Sequence, residues 1–112
     1  MRSQLEILFE RHIQDAGLPE PEVAYRFARH IGRRWEADFA FLPYKLLVEI
    51  EGGEFQRGRH TRGKGFVNDC EKYAEAQIMG WRVLRIPGTW VHNGEGVRYL
   101  ERLLATLEQE NT

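Results

Sequence analysis

Apolar residues recur at helical spacing across residues 3–16, where Leu5, Leu8, Phe9, His12, Ile13 and Ala16 form one stripe. Ser3 stands where an N-cap belongs and Gly17 where a helix stops. Pro19 and Pro21 mark a connector. Residues 23–29 read as a strand, and His30-Ile31-Gly32 turns it back into a second strand over 33–41. In that second strand Trp35, Ala37, Phe39 and Phe41 alternate with Arg34, Glu36, Asp38 and Ala40. Asp38 therefore falls on the less apolar face. Leu42-Pro43 makes a short link into a third strand over 44–51, completing an antiparallel meander. Residues 52–65 form a loop rich in Gly and Arg, of a length that usually serves function. A second helix spans 66–79 and stops at Gly80. Residues 81–86 form a fourth strand, ended by Pro87-Gly88. A helix joins the third and fourth strands, so their pairing is expected to be a parallel crossover. After a break at 94–96, Val97, Leu100, Leu103, Leu104 and Leu107 give a final amphipathic helix over 97–107. The order is αβββαβα, an α/β fold with a mixed central sheet flanked by helices, expected as the single domain 1–112.

The 112 residues are 42% hydrophobic and 29% charged, the balance of an ordinary globular domain with one core. No apolar run is long enough to span a membrane and no signal-peptide pattern opens the chain, which leads to a cytosolic expectation. One cysteine, Cys70, excludes an internal disulfide framework and speaks against a zinc-thiolate site. Net charge is -1, but the charge is segregated. Arg57, Arg59, His60, Arg62 and Lys64 crowd the glycine-rich loop, and Arg26, Arg29, Arg33 and Arg34 crowd another segment. A near-neutral protein built this way can still offer a basic face to a phosphate backbone.

The third strand ends in Val48-Glu49-Ile50-Glu51-Gly52. Side chains alternate along a strand, so Glu49 and Glu51 point one way while Val48 and Ile50 enter the core. Two carboxylates held side by side at the end of an apolar strand repel each other. A hard divalent cation such as Mg²⁺, which takes oxygen ligands and often only one or two carboxylates, is the usual compensation. That arrangement is expected of a metal-dependent phosphodiesterase.

These pieces in this order resemble the PD-(D/E)XK nuclease superfamily, with its restriction-endonuclease-like core. The match is nearest its small single-domain branch, similar to the very-short-patch-repair-like endonucleases of phages and bacteria. The residues carrying it are Asp38, Glu49-Ile50-Glu51-Gly52, His60, Asp69-Cys70-Glu71-Lys72 and Gly80-Trp81-Arg82-Val83-Leu84-Arg85. Ala37 stands in place of the motif's proline and Glu51 in place of its lysine. The resemblance implies a Mg²⁺- or Mn²⁺-dependent DNA endonuclease, structure- or strand-selective as a monomer, with a homodimer left open. It implies Asp38 and Glu49 as metal ligands, with the Ile50 carbonyl as a third oxygen. Glu51 would ligate a second cation or deprotonate the attacking water, and Glu6, preferred to Glu10, would reach the site from the first helix.

Other residues carry two readings each. Lys72 either pairs with Asp69 one helical turn away or supplies the positive charge the third motif lacks. Gln77 falls among Phe66, Cys70, Tyr73 and Ala74, the face expected to be apolar and buried. There it either orients a carboxylate or water, or pairs with backbone. Cys70 on that face is expected to be core packing. His60, with Arg57, Arg59, Arg62, Lys64 and Arg34, is either a phosphate clamp on DNA or a solvated charge run. A competing class is a non-catalytic nuclease-fold module that binds DNA or protein, which would account for the missing lysine.

Overall fold

The computed structural model describes residues 2–52 and 64–110, apart from the Lys64 side chain. Its elements are α1 (Gln4–Asp15), β1 (Glu22–Arg26), β2 (Glu36–Phe41), β3 (Leu46–Glu51), α2 (Lys64–Ile78), β4 (Arg82–Pro87), α3 (Gly88–Asn93) and α4 (Glu95–Glu110). Short 3₁₀ turns at Arg29–Ile31 and Leu42–Tyr44 join β1 to β2 and β2 to β3. The four strands lie in the order β1-β2-β3-β4. The first three form the antiparallel meander, and β4 adds in parallel to β3, with Glu49 beside Arg85 and Ile50 beside Ile86. The expected mixed α/β sheet and its parallel crossover are therefore both present. No helix among the described residues is long and apolar enough to cross a membrane.

Strand alternation divides the core in two. Phe39, Phe41, Leu46, Val48 and Ile86 pack with Phe9 and Ile13 of α1, Val91 of α3, and Leu100 and Leu104 of α4. On the opposite face Ala40 and Leu47 pack with Ala76 of α2 and Trp81. Each fully buried aliphatic or aromatic side chain contributes about 1.5–3 kcal/mol, so the larger first cluster dominates stability. Gly96, at the start of α4, lies directly against that cluster. A Cβ there would stand 2.7 Å from Ile86 Cγ2 and 3.1 Å from Phe9 Cε1. Both neighbours are fully buried and cannot swing aside. Gly96→Ala is expected to lower stability by roughly 1–3 kcal/mol, outweighing alanine's better helix propensity. A thermal melt checks this, and a Tm at or above wild type would show that the α3–α4 corner can relax.

Several boundaries and one helix face differ from the sequence reading. The strand expected over 23–29 ends at Arg26, because Phe27 and Ala28 turn inward and are buried. The second strand starts only at Glu36, after the 3₁₀ turn and Gly32. Residues 88–93, left without structure by the sequence, form the short helix α3. The largest correction concerns α2. Cys70 and Gln77 were expected on its buried face, yet both are exposed, as are Ala74 and, at 58%, Phe66. The face turned to the sheet carries Lys72, Tyr73, Ala76 and Met79. Ala76 lets the helix approach closely, and Lys72 meets Glu49 on the sheet, so this rotation satisfies a buried charge that the Phe66–Gln77 face would leave unpaired.

Candidate active site

The sheet bends where the site forms. Val23 pairs with Phe39 and Tyr25 with Ala37, which places Ala24 directly across from Asp38. Ala24 has φ 51, in the left-handed region. Such a backbone costs a non-glycine residue about 1–2 kcal/mol. It reverses the faces of the strand, so Val23 packs in the first cluster and Tyr25 in the second. Phe39 and Ala37 divide in the same way. Asp38 sits at this crossover point, half-buried, and its Oδ2 accepts the Ile50 N–H at 2.7 Å.

That bond replaces the next rung of the β2–β3 ladder, whose last pair here is Phe39 with Val48. The N–H and C=O of one strand residue face the same neighbour. The Ile50 carbonyl is therefore sent to the side where Asp38 stands. Glu49 projects from β3 onto the α2 face and is only 7% exposed, the one charged side chain buried among the described residues. Lys72 Nζ reaches it from α2, donating to Glu49 Oε1 at 3.0 Å and Oε2 at 3.2 Å, and to the Glu36 carbonyl at 2.7 Å. Lys72 thus turns to Glu49 on the sheet, and its ion pair is with that residue.

Burial dominates the electrostatics. It pushes the Glu49 carboxyl up to about 7 from an ordinary 4.5, against the pull of Lys72, and Asp38 and Glu51 push it the same way. Asp38 is raised as well, first by burial and then, beyond the lowering by Ile50 N–H, by Glu6. One ammonium does not compensate this many carboxylates in a partly dry site.

Glu6 stands on α1 close enough for its charge to act on Asp38. It also has a structural task, since its N–H donates to Ser3 Oγ at 3.2 Å and its carboxylate accepts the Ser3 hydroxyl at 3.1 Å, a variant of the capping box. Arg2 holds Glu10 at 2.6 Å and also comes within 4.0 Å of Glu6. Glu51 is engaged by Arg85, at 3.1 Å and 3.3 Å to its two oxygens. Arg85 in turn lies 5.2 Å from the centre of the Tyr73 ring. Burial and the nearby Glu49 and Glu51 push the Tyr73 hydroxyl well above its usual range, so it stays protonated.

Arg85 enters the sequence analysis only within the Gly80–Arg85 motif and Tyr73 only on a helix face, neither with a role at the site. The signal for Arg85 was available in its alternation within Trp81-Arg82-Val83-Leu84-Arg85-Ile86, which puts it beside Glu49 on the parallel neighbour. Asp69 is exposed on α2. Arg34 is exposed in the connector between β1 and β2. Arg57, Arg59, His60, Arg62 and the Lys64 side chain lie outside the described residues.

Asp38 and Glu49 are near enough to act on each other's charge, and Asp38 is bonded to the Ile50 peptide, so the available oxygens are hard ones. Among the described residues no three His, Cys, Asp or Glu side chains come together as a metal cluster. A site of two carboxylates and a carbonyl still suits Mg²⁺ or Mn²⁺, which keep waters and substrate oxygens in the remaining positions. Burial first, and neighbouring carboxylates after it, raise Asp38 and Glu49, and a cation bound between them would favour their ionised forms.

No family model matches the chain. It is 33% identical over 72 residues to two uncharacterized proteins of Mycobacterium tuberculosis, one from strain CDC 1551 / Oshkosh and one from strain ATCC 25618 / H37Rv. The matched stretch is 64% of this chain and 25% of each relative, so the chain spans about a quarter of their length. Among solved structures, the catalytic domain of the homing endonuclease I-Bth0305I has the same fold. It aligns with a TM-score of 0.66 over 95% of this chain and 98% of that domain, at 18% identity.

Proposed function

We propose that this chain is a metal-dependent DNA endonuclease of the PD-(D/E)XK type, with Asp38, Glu49 and the Ile50 carbonyl as the ligands of Mg²⁺ or Mn²⁺. The observation that carries the reading is the buried Glu49 beside Asp38, neither fully neutralised by Lys72, at the end of a sheet whose fold is that of a nuclease catalytic domain. A divalent cation bound there would lower the pKa of a water and offset charge developing on the scissile phosphate.

The chain's own residues supply the rest. Lys72 orients Glu49 and favours its ionised form. Arg85 holds Glu51 at the end of β3, where its carboxylate can accept a proton from the attacking water. Glu6 adds negative charge on the α1 side. Arg57, Arg59, His60, Arg62, Lys64 and Arg34 bind DNA phosphates, with His60 donating to the leaving oxygen. Gln77 and Asp69, both exposed, are left outside the chemistry.

Titrating Mn²⁺ into the protein, followed by electron paramagnetic resonance, and incubating it with labelled linear, nicked and branched DNA test this reading together. Ion binding lost in Glu49→Gln and cleavage of at least one substrate are expected. Binding of DNA with neither metal uptake nor cleavage would favour the second reading, a non-catalytic nuclease-fold module. One observation does favour that alternative: Glu51, in place of the motif lysine, is tied to Arg85.

Lys72→Met gives a finer check. Lys72 lowers the Glu49 pKa, so its loss raises that pKa further. Cleavage by the variant is expected to fall by about 10²-fold at neutral pH, as for removal of one fixed electrostatic contact, and to recover partly at higher pH. A pH profile superimposable on wild type would remove Lys72 from the site's electrostatics.

A further inference from the structure

We propose that the connector between β1 and β2, residues 27–35, is a second phosphate-binding surface that lays a DNA duplex alongside the Asp38–Glu49 site. Residues 23–35 contain Arg26, Arg29, His30, Arg33 and Arg34 and not one Asp or Glu. The connector is tightly built. Phe27 and Ala28 are buried and anchor it to the sheet. The Ile31 and Arg33 N–H groups both donate to the Ala28 carbonyl, at 3.2 Å and 3.1 Å. Gly32 takes φ 75, which lets its own N–H close on the Arg29 carbonyl at 2.9 Å.

Arg33 lies 3.8 Å over the Trp35 ring and hydrogen-bonds Asn68 and Glu71 of α2, while Trp35 Nε1 donates to the same Asn68 oxygen. This stack braces the connector against the helix that carries Lys72. The strand leaving the connector begins at Glu36, whose carbonyl accepts Lys72 Nζ. The connector therefore stands at the same end of the sheet as the carboxylates.

Arg26 is turned to Glu36. Arg29 and Arg34 are exposed and have no ion-pair partner among the described residues, and exposed His30 lies next to Arg29. Elsewhere Arg82 and Arg98 are matched by Glu110 and Glu95, and Arg11 and Arg102, which also lack an ion pair among the described residues, stand on helices that carry several carboxylates. Unmatched cations on a braced support, flanking a phosphodiester-sized task, fit a polyanion backbone rather than a single small anion. The position beside the chemistry rests on the nuclease reading, whereas the binding itself does not.

The test measures fluorescence anisotropy of a short fluorescein-labelled DNA duplex against NaCl concentration, in EDTA and in a Glu49→Gln background, so no cleavage intervenes. Arg29→Gln with Arg34→Gln is compared with Arg98→Gln with Arg102→Gln on α4, which packs on the opposite face of the sheet. Each lost phosphate contact flattens the slope of log K against log salt by about 0.9, so the connector pair is expected to flatten it by about 1.8 and the α4 pair to leave it unchanged. An unchanged slope in the connector pair, an equal loss in the α4 pair, or no duplex binding by the parent protein would overturn the proposal. Absence of cleavage in the wild type with this slope change intact would sink the nuclease reading alone.

Discussion

Glu49→Gln is expected to reduce phosphodiester hydrolysis by about 10²–10³-fold, corresponding to several kcal/mol of lost charge stabilisation at the reacting phosphate. The same change is expected to help the metal-free fold at alkaline pH. Glu49 is raised to about 7 in the folded chain. Between its ordinary 4.5 and that value, the folded protein keeps a proton that the unfolded chain releases. Stability from this group is thus present below about 4.5 and is lost as pH rises to about 7, by no more than roughly 3 kcal/mol. Glutamine has no proton to lose and still offers an acceptor to Lys72. Thermal melts in EDTA at pH 5 and pH 8 are expected to show a falling Tm for wild type and a flatter one for the variant. Adding Mg²⁺ at pH 8 is expected to raise the Tm of wild type only. A variant that melts below wild type at pH 8 would mean that the Lys72 pairing outweighs burial.

Asp38 separates chemistry from architecture, and two substitutions divide them. Asn retains an oxygen that can accept the Ile50 N–H now bound at 2.7 Å, so Asp38→Asn is expected to fold with little change in Tm. It loses the charge, and cleavage is expected to drop by about 10²–10³-fold, as for Glu49. Asp38→Ala loses the acceptor too. It leaves the Ile50 N–H without its bond beside a buried strand and is expected to cost about 1–3 kcal/mol beyond the asparagine variant. Equal melting of the two would show that the Asp38–Ile50 bond does not support the end of β3. Full activity in Asp38→Asn would remove Asp38 from the metal site.

The legible parts of this chain were those with a local period. Alternation placed Glu49 and Glu51 on one face and Val48 and Ile50 in the core, and the helix between the third and fourth strands announced the parallel pairing. The stripe of α4 was readable for the same reason, with Leu100, Leu104 and Leu107 all buried. The face of α2 was not. Phe66, Cys70 and Tyr73 look like a core stripe, but the orientation of the helix follows a contact with Glu49, 23 residues away in sequence. No window of local sequence contains that information. The left-handed Ala24 was equally hidden, since alanine carries no turn signal and its place opposite Asp38 depends on the strand register. Of the candidate site, the carboxylates were readable because charge on an apolar strand is costly, whereas the Arg85–Glu51 pairing needed the β3–β4 register.

The most direct measurement is nicking of supercoiled plasmid by wild type and Glu49→Gln, each with Mg²⁺, Mn²⁺ or EDTA. Conversion to open-circular or linear DNA by wild type with either metal, abolished by EDTA and by the substitution, is the predicted result. Plasmid left supercoiled by wild type under every metal, or nicked equally by Glu49→Gln, would contradict an active site built on Asp38 and Glu49.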